Sequence, residues 1–382
     1  MPDMSTGPAR ATIQAVLNPR LDRAGDYGEA RRSILSLAAA DTAAAAIRSW
    51  EGYAPTPLRD LPGLAATLGI GQLLYKDEGH RFGLKSFKAL GGAYAVDRLV
   101  AARGAAGLTV ACATDGNHGR SVAWGARRAG VKAVIYVHET VSEGRAEAIR
   151  AYGATVVREG RTYDDSVRAC SEAAARNGWQ IVSDTSWPGY EEVPKDVMQG
   201  YALLAIEAEA QGARPTHVFV QGGVGGLAAG VLSVAWERQG GERPIVVVVE
   251  PVTAACLFES ARAGAVTAVG GDLDTIMAGL ACGEPSILAW RILEGGADAF
   301  MTIPDTAAAD AMRRLAELGV VGGESGVAGL AGLVQAAADP ALRRMLKLEA
   351  GSRVLCYGTE GATDPDVYRS IVGRDAEEVE SR

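Results

Sequence analysis

Residues 216–230 read THVFVQGGVGGLAAG and contain the pattern that decides the fold. The stretch begins with an apolar, β-branched run typical of a buried strand, and four glycines follow before an alanine-rich helical segment. Backbone N–H groups of a glycine-rich loop between a strand and a helix can bind an anion, whereas a simple tight turn needs only one or two glycines. We therefore predict a phosphate-binding loop made of Gly222, Gly223, Val224, Gly225 and Gly226.

Six further runs of the same kind occur along the chain, separated by stretches such as 118–129 and 197–210 with helical spacing. They are 108–113, 132–137, 154–158, 180–183, 244–249 and 353–357. Nearly continuous apolar strands that alternate with helices indicate parallel sheets covered on both faces. The predicted fold class is α/β, with two parallel-type sheets and flanking helices. In such folds, sites form where loops leave the carboxyl ends of strands.

Composition and charge exclude several classes of protein. The chain has 382 residues, 48% hydrophobic and 22% charged, with a net charge of −8. No basic run suggests nucleic-acid binding, no apolar run of ~20 residues suggests a membrane span, and the first residues lack a secretory pattern. The five cysteines form no C-x-x-C pair and the four histidines are scattered, so we predict no metal site. We expect a cytoplasmic protein.

A second loop of interest contains Lys88 in the sequence Ser-Phe-Lys. Ser86 is a plausible helix N-cap, which would place Lys88 in the first helical turn, where the positive helix end favours the neutral amine. A neutral amine is the form that attacks an aldehyde cofactor. The alternative is a solvated surface lysine, and Lys85 and Lys76 are competing candidates nearby.

Two more loops follow predicted strands. The run 108–113 is followed by Asp115 and Asn117 within Thr-Asp-Gly-Asn-His-Gly-Arg, where the glycines permit a close approach to a ligand. Taken alone, Asp115 could equally be the N-cap of an ordinary turn. The run 353–357 is followed by Thr359 and Glu360, which offer a hydroxyl and a carboxylate.

A different interpretation of the glycine-rich loop is a dinucleotide fingerprint. Gly223, Gly225 and Ala228 have the required spacing, and Glu250 at the end of the next strand would bind a ribose. This hypothesis predicts an NAD-dependent dehydrogenase, but it gives the loops of Lys88 and Asp115 no function.

Taken together, the four loops resemble those of the pyridoxal-phosphate enzymes of the tryptophan-synthase-β type, known as fold type II. The resemblance implies that Lys88, with Phe87 beside it, holds pyridoxal 5'-phosphate and that Asn117 contacts its ring oxygen. It also implies that residues 222–226 bind the phosphate and that Thr359 faces the pyridine nitrogen. A large domain, 1–91 with 203–382, and a smaller inserted domain, 92–202, are implied as well.

Within fold type II the chain looks most similar to the diaminopropionate ammonia-lyases. The matching segments include KDEGHRFGLKSFKALGG at 76–92, ATDGNHGR at 113–120, DTSWPGYEE at 184–192, GLACGEP at 279–285 and TEGATDP at 359–365. Ordinary dehydratases of the group have Ser or Ala at the position of Asp115. A serine/threonine dehydratase of the same fold and a catalytically inactive binding protein are the alternatives.

This resemblance assigns roles to two ionisable residues, and the position of Asp184 after a predicted strand suggests a role for a third. Lys88 and Asp115 would be bases on opposite faces of the cofactor, so that both L- and D-diaminopropionate could react to pyruvate and ammonia. Asp184, after the run 180–183, would bind the β-ammonium of this amino-acid substrate, although a helix cap or a salt-bridge partner is equally plausible. The resemblance further implies a homodimer and a possible disulfide between Cys256 and Cys282, for which two buried free thiols are the alternative.

Overall fold

Two β-sheets form the framework of the molecule. The computed structural model describes residues 13–381, and within them eleven strands. The strands are β1 (Gln14–Leu17), β2 (Leu58–Asp60), β3 (Gln72–Asp77), β4 (Thr109–Ala113), β5 (Lys132–Val137), β6 (Thr155–Arg158), β7 (Gln180–Ile181), β8 (His217–Gln221), β9 (Ile245–Pro251), β10 (Ala299–Ile303) and β11 (Arg353–Gly358). All seven predicted strands are present, and β1, β2, β3 and β10 are additional.

The larger sheet has the strand order β1-β10-β9-β8-β11-β3-β2, and the smaller one β6-β5-β4-β7. The smaller sheet is entirely parallel. In the larger sheet the five central strands are parallel, whereas the edge strands β1 and β2 pair antiparallel with β10 and β3. The predicted α/β class is confirmed, and the expectation of purely parallel sheets is corrected at these two edges.

Helices cover both faces of the larger sheet. They are α1 (Glu29–Arg32), α2 (Leu37–Arg48), α3 (Pro62–Leu68), α4 (Ala89–Arg103), α5 (Asn117–Ala129), α6 (Glu143–Arg150), α7 (Tyr163–Asn177), α8 (Glu192–Ala210), α9 (Gly226–Gln239), α10 (Cys256–Ala263), α11 (Ile287–Gly296), α12 (Asp305–Glu317), α13 (Ala328–Ala338), α14 (Pro340–Met345), α15 (Pro365–Val372) and α16 (Ala376–Glu380). Within residues 13–381, no helix combines the length and the apolar composition that a bilayer-spanning segment needs.

The apolar core is divided by the larger sheet. Val246 and Val248 of β9 pack on the side of α8 and α9, whereas Val247 and Val249 pack on the side of α12 and α13. Alternate residues of one strand are therefore buried on opposite faces, which explains why its sequence is continuously apolar. The core on the side of α8 and α9 also includes Ile135 and neighbouring residues of the smaller sheet, so the two sheets share one apolar region.

The predicted domain borders fall inside helices. The border at 91/92 lies in α4, and the border at 202/203 lies in α8. All four strands of the smaller sheet lie between these borders, and the division into domains at 92–202 stays a prediction. Residues 1–12 and 382 of the predicted large domain lie outside the described residues.

A buried ion cluster connects α8 to the segment that leads into α4. Glu207 accepts hydrogen bonds from Lys76 Nζ at 2.8 Å and from both terminal nitrogens of Arg81 at 2.9 and 2.8 Å. Lys76 also donates to the Thr56 carbonyl and to Gln211 Oε1, so its three N–H groups are all used. Lys76 is therefore unavailable as a cofactor lysine, which removes one of the two competitors of Lys88.

Replacing Glu207 with Gln should destabilise the fold by about 3–5 kcal/mol, because buried Lys76 loses its paired carboxylate and Arg81 keeps only Glu78. Chemical unfolding of the variant and of wild type measures the difference. Glu209→Gln is the matched control, since Glu209 pairs with Arg238 at the surface two residues further along α8. That change should cost only about 0–1 kcal/mol, and equal losses for both variants would contradict the role given to the cluster.

Candidate active site

The glycine-rich loop lies where the order of strands in the larger sheet reverses. The chain continues from β8 to β9 on one side of β8, whereas β11 lies on its other side. Loops after two neighbouring strands diverge at such a point and leave a crevice for a ligand. The loop Gly222–Gly226 follows β8 and Thr359 follows β11, so both predicted cofactor segments border this crevice.

The loop presents backbone donors at the start of α9. Gly223 and Gly225 have φ values of 64° and 95°, which side chains other than glycine rarely adopt. Within residues 13–381, the N–H groups of Gly223, Val224 and Gly226 have no hydrogen-bond acceptor. Unpaired amides at a helix N-terminus are a favourable place for a phosphate.

The smaller sheet contributes loops from a reversal point of its own. β4 lies between β5 on one side and β7 on the other, and the loops after β4 and β7 contain Asp115 with Asn117 and Asp184, respectively. The carbonyl of Asp184 lies 3.7 Å from the position that a Cβ of Gly226 would occupy. This contact connects the loops of the two sheets.

Lys88 immediately precedes α4, and its Nζ is paired with the carboxylate of Asp184. Burial is the largest single effect and opposes the charged amine, but the charge of Asp184, its hydrogen bond and the neighbouring Tyr201 together raise the pKa of Lys88 above its ordinary value. The expectation of a neutral amine is therefore wrong for this state of the site, because the carboxylate acts more strongly than the helix end. The proposed cap at Ser86 is also wrong, since Lys88 is the cap residue and the Ser86 hydroxyl has no partner in the described part of the chain.

Asp184 is held in its ionised form. Burial alone would raise its pKa, but the charge of the Lys88 ammonium and its hydrogen bond lower it well below its ordinary value. His118 Nδ1 lies 3.7 Å from Asp184, while His118 Nε2 contacts the Val182 carbonyl at 2.8 Å. Burial lowers the pKa of His118, so this imidazole is neutral beside the ion pair.

Two aromatic rings surround the Lys88 ammonium. The Phe87 ring packs on that of Tyr201, with centroids 4.6 Å apart. Lys88 Nζ lies 5.4 Å from the Phe87 centroid and 5.8 Å from the Tyr201 centroid, within the range of a cation–π contact. Phe87 therefore packs beside the lysine, and Tyr201 of α8 is a site residue that the sequence analysis missed.

Asn117 and Thr359 are both fixed by residues that the sequence analysis did not assign. Asn117 is the first residue of α5, and its Nδ2 donates to Glu360 Oε2. Thr359 Oγ1 lies 3.2 Å from Gln221 Nε2, whose two hydrogens are used by shorter contacts of 2.6 and 2.7 Å with backbone carbonyls. The hydroxyl hydrogen of Thr359 therefore remains available for a further acceptor.

Asp115 does not cap α5. Gly116 is the residue at the cap position, and Thr114 Oγ1 accepts from the amides of Gly116 and Gly119 at 2.9 and 3.0 Å. The side chain of Asp115 instead contacts His138 Nε2 at 2.8 Å and remains 30% exposed. The carboxylate is therefore free of a structural role in the helix.

Comparisons with known proteins agree with this geometry. The family described as pyridoxal-phosphate dependent enzyme matches residues 50–360. The chain is 42% identical to a diaminopropionate ammonia-lyase of Escherichia coli (strain K12), over 84% of this chain and 88% of the relative. The chain belongs to the family of pyridoxal-phosphate-dependent enzymes.

A solved structure and a more distant relative show how the similarity is distributed. A crystal structure of the Escherichia coli diaminopropionate ammonia-lyase in complex with D-serine superimposes with a TM-score of 0.88 and 38% identity, covering 94% of this chain and 97% of that one. A biosynthetic L-threonine dehydratase of Mycobacterium tuberculosis (strain ATCC 25618 / H37Rv) is only 27% identical, over 89% of this chain and 76% of the relative.

The residues of the crevice fit pyridoxal phosphate. The three unpaired amides of the glycine-rich loop offer donors for a phosphate, and a Cβ at Gly225 would lie only 3.0 Å from Leu293 Cδ1, so the loop conformation requires glycine. Lys88 would hold the aldehyde carbon, and Asn117 and Thr359 would contact polar atoms of the ring. The pyridoxal-phosphate family therefore explains all four loops that the sequence analysis singled out.

The dehydrogenase hypothesis fails at Glu250. Its two carboxyl oxygens accept hydrogen bonds of 2.9 and 2.7 Å from the amides of Leu257 and Phe258, at the start of α10. The side chain is fully buried, and a Cβ at Gly222 would lie 2.3 Å from its Cγ. Glu250 therefore packs beneath the loop and cannot reach a ribose in the crevice.

Cys256 and Cys282, for which both a disulfide and two free thiols were left open, lie next to the same glycine. Cys256 Sγ is 3.5 Å from the Gly223 carbonyl, and Cys282 Sγ is 3.7 Å from the position of a Cβ at Gly223. Both thiols are free, and burial raises the pKa of Cys282 to about 12. The structure therefore has two thiols beside the loop and no disulfide between them.

Arg145 of α6 connects the loop of Asp115 with Glu324, which lies between α12 and α13. Its Nη1 donates to the Asp115 carbonyl at 3.3 Å, and its Nη2 lies 3.2 Å from Glu324 Oε1. Glu324 is buried, and burial together with the charge of Glu360 raises the pKa of Glu324 to about 7. The sequence analysis missed Arg145 and Glu324, and no motif pointed to either.

Stability should depend on pH through Glu324. Because its pKa rises from 4.5 to about 7 on folding, the folded state binds more protons between these values, and stability should fall as pH rises through this range. In Glu324→Gln, the fall in stability with rising pH that is due to Glu324 should be absent. Thermal unfolding at about pH 5 and about pH 7.5 would measure the fall in both proteins.

Glu317→Gln, on the exposed side of α12, is the matched control and should retain the pH dependence of wild type. If Glu324→Gln loses as much stability over the same range as wild type does, the raised pKa of Glu324 is contradicted.

Proposed function

We propose that this protein is a pyridoxal-phosphate-dependent ammonia-lyase that converts 2,3-diaminopropionate to pyruvate and ammonia by α,β-elimination. The observation that carries the proposal is the ion pair of Lys88 and Asp184 beside the phosphate-binding loop. An ammonium group is already bound by the Asp184 carboxylate in the crevice. The β-ammonium of diaminopropionate has the same charge and the same three donors, whereas the hydroxyl of serine or threonine is neutral.

The charge of Asp184 also suits the leaving group. A β-nitrogen that Asp184 holds as an ammonium departs as neutral ammonia together with the electrons of the Cβ–N bond. When bound, pyridoxal phosphate supplies the electron sink that makes the Cα proton of the substrate acidic. A base must then accept that proton, and efficient bases lie within hydrogen-bond reach of it.

Lys88 and Asp115 are the bases that we propose. They approach from different elements, because Lys88 precedes α4 and Asp115 follows β4. Lys88, released when the substrate takes its place, would serve the L-isomer, and Asp115 would serve the D-isomer. The complex of the Escherichia coli relative with D-serine supports a site that accepts D-amino acids.

The same resemblance supports a homodimer in the cytoplasm. On that basis we propose a homodimer, a cytoplasmic location and a small domain formed by residues 92–202. Light scattering on the purified protein would measure the mass in solution and test the dimer.

A panel of amino acids tests the proposed substrate. The purified enzyme with cofactor should release pyruvate and ammonia from D- and L-diaminopropionate with a kcat/KM at least about tenfold above that for D- or L-serine, since an ammonium pairs with Asp184 and a hydroxyl does not. Lys88→Ala is the inactive control. A higher kcat/KM for L-threonine or L-serine would instead support a dehydratase.

Asp115→Asn should lower kcat for D-diaminopropionate by about 10²–10⁴-fold, the usual effect of removing a general base, and leave turnover of the L-isomer largely intact. Steady-state kinetics with each isomer separately measures both values. Equal losses for the two isomers would contradict a face-specific role of Asp115.

A further inference from the structure

We propose that His138 is a positioning residue that orients Asp115 and reserves one of its oxygens for the substrate proton. This inference rests on the proposed role of Asp115 as the base for the D-isomer. His138 immediately follows β5, the strand next to β4 in the smaller sheet. Neither the predicted site nor any motif of the sequence analysis includes it.

The first step is the direction of the hydrogen bond. His138 Nε2 lies 2.8 Å from Asp115 Oδ1. An ionised carboxylate has no hydrogen to donate, so the hydrogen of this contact belongs to His138 Nε2. Oδ1 therefore has a donor, and Oδ2 is the oxygen left to accept a proton from Cα.

The second step is the tautomer of the imidazole. His138 Nδ1 lies 2.9 Å from the Thr140 hydroxyl, which can donate to it. With Nδ1 as an acceptor, a neutral imidazole carries its hydrogen on Nε2, the nitrogen that faces Asp115. The Thr140 hydroxyl can donate or accept, so this contact is compatible with the tautomer that the Asp115 carboxylate requires.

The third step is the position of the pair. The His138 side chain is 14% exposed, so the hydrogen bond is protected from solvent on most sides. Arg145 Nη1 holds the Asp115 carbonyl at 3.3 Å, and Arg158 Nη1 holds the His138 carbonyl at 3.1 Å. The backbones of both residues are therefore fixed, and the remaining freedom of the Asp115 carboxylate is its rotation, which the His138 contact restricts.

The arrangement matches a general feature of catalytic bases, in which a third group orients the base through a hydrogen bond. Here the imidazole orients a carboxylate and takes no proton from the substrate. The atoms that react are those of Asp115, so loss of His138 should weaken catalysis only for the isomer that Asp115 serves.

Kinetics with the two isomers tests the proposal. His138→Phe keeps a ring but removes the donor, and kcat for D-diaminopropionate should fall by about ten- to hundredfold, the effect of one lost hydrogen bond to a charged group. KM for the D-isomer and all constants for the L-isomer should change less than about threefold. His138→Gln, whose Nε2 can reach a similar position, should restore a large part of the D-isomer kcat.

The matched control is His217→Gln. His217 is the first residue of β8, at the end of the strand opposite the crevice. It contacts the Leu346 carbonyl at 2.9 Å. This variant should leave the ratio of D- to L-isomer turnover unchanged. Parallel losses for both isomers in His138→Phe, or no recovery in a folded His138→Gln, would overturn the proposal.

Histidine NMR separates this inference from the proposed function. The chain has only four histidines, so ¹⁵N-labelled holoenzyme gives a simple spectrum that His→Gln variants assign. In wild type, His138 should carry a hydrogen on Nε2, and Asp115→Ala should shift this signal alone among the four. If wild type does not turn over the D-isomer, the proposed function of Asp115 fails while the NMR result still stands. If the signal is unaffected by Asp115→Ala, the pairing itself is wrong.

Discussion

The buried contact of Glu207 with Lys76 and Arg81 is the interaction on which the geometry of the site depends. Removing charges from water is unfavourable unless each finds partners. Here Glu207 receives donors from both cations, and Arg81 also donates to the buried carboxylate of Glu78. The contact fixes α8, which carries Tyr201, against the segment that leads to Lys88. It therefore sets the distance between Lys88 and the helix that packs beneath the glycine-rich loop.

The segment that follows the cluster has an unusual backbone that needs such an anchor. Phe82 and Lys85 both adopt positive φ values, of 51° and 56°, although neither is glycine. Such conformations are unfavourable and persist only where surrounding contacts determine them. Arg81 on one side and the hydrogen bond from the Gly361 amide to the Lys85 carbonyl on the other supply those contacts. The strained turn brings Lys88 to the crevice from β3, whose carboxyl end lies next to β11.

The loops of the site were predictable because each follows an apolar strand and contains residues with unusual chemistry. The glycines at 222–226 and the Ser-Phe-Lys and Asp-Gly-Asn sequences are local signals, and the structure brings their residues together. The features of the site that the sequence did not predict depend on contacts between residues that are far apart in the chain. Lys88 and Asp184 are 96 positions apart, so the direction of the lysine pKa shift could not follow from its helix alone. The sequence pattern around Glu250 likewise fits a dinucleotide site, and only its bonds to Leu257 and Phe258 exclude that function.

Strand prediction had the same limit, because some strands are stabilised by contacts that their own sequences do not show. Most of the predicted strands are buried on both faces and contain continuous apolar runs, whereas β6 and β7 are only partly buried. By contrast, β2 has three residues, LRD, and β3 ends in Lys76 and Asp77, whose charges are acceptable only because Glu207 and Arg59 pair with them. An edge strand or a strand with buried charges is stabilised by its partners, and its own sequence does not reveal them.

The carboxylates of the crevice differ in charge because their cations differ. Asp184 has the Lys88 ammonium to itself, and the pKa of Asp184 is lowered despite burial. Glu324 shares Arg145 with Asp364 and lies near Glu360, and the pKa of Glu324 is raised to about 7. Two carboxyl groups with pKa values moved in opposite directions can perform different tasks at one pH. A permanently negative Asp184 suits the binding of an ammonium group, whereas a Glu324 that gains and loses its proton near neutrality changes the charge at the junction between the Asp115 loop and the larger sheet.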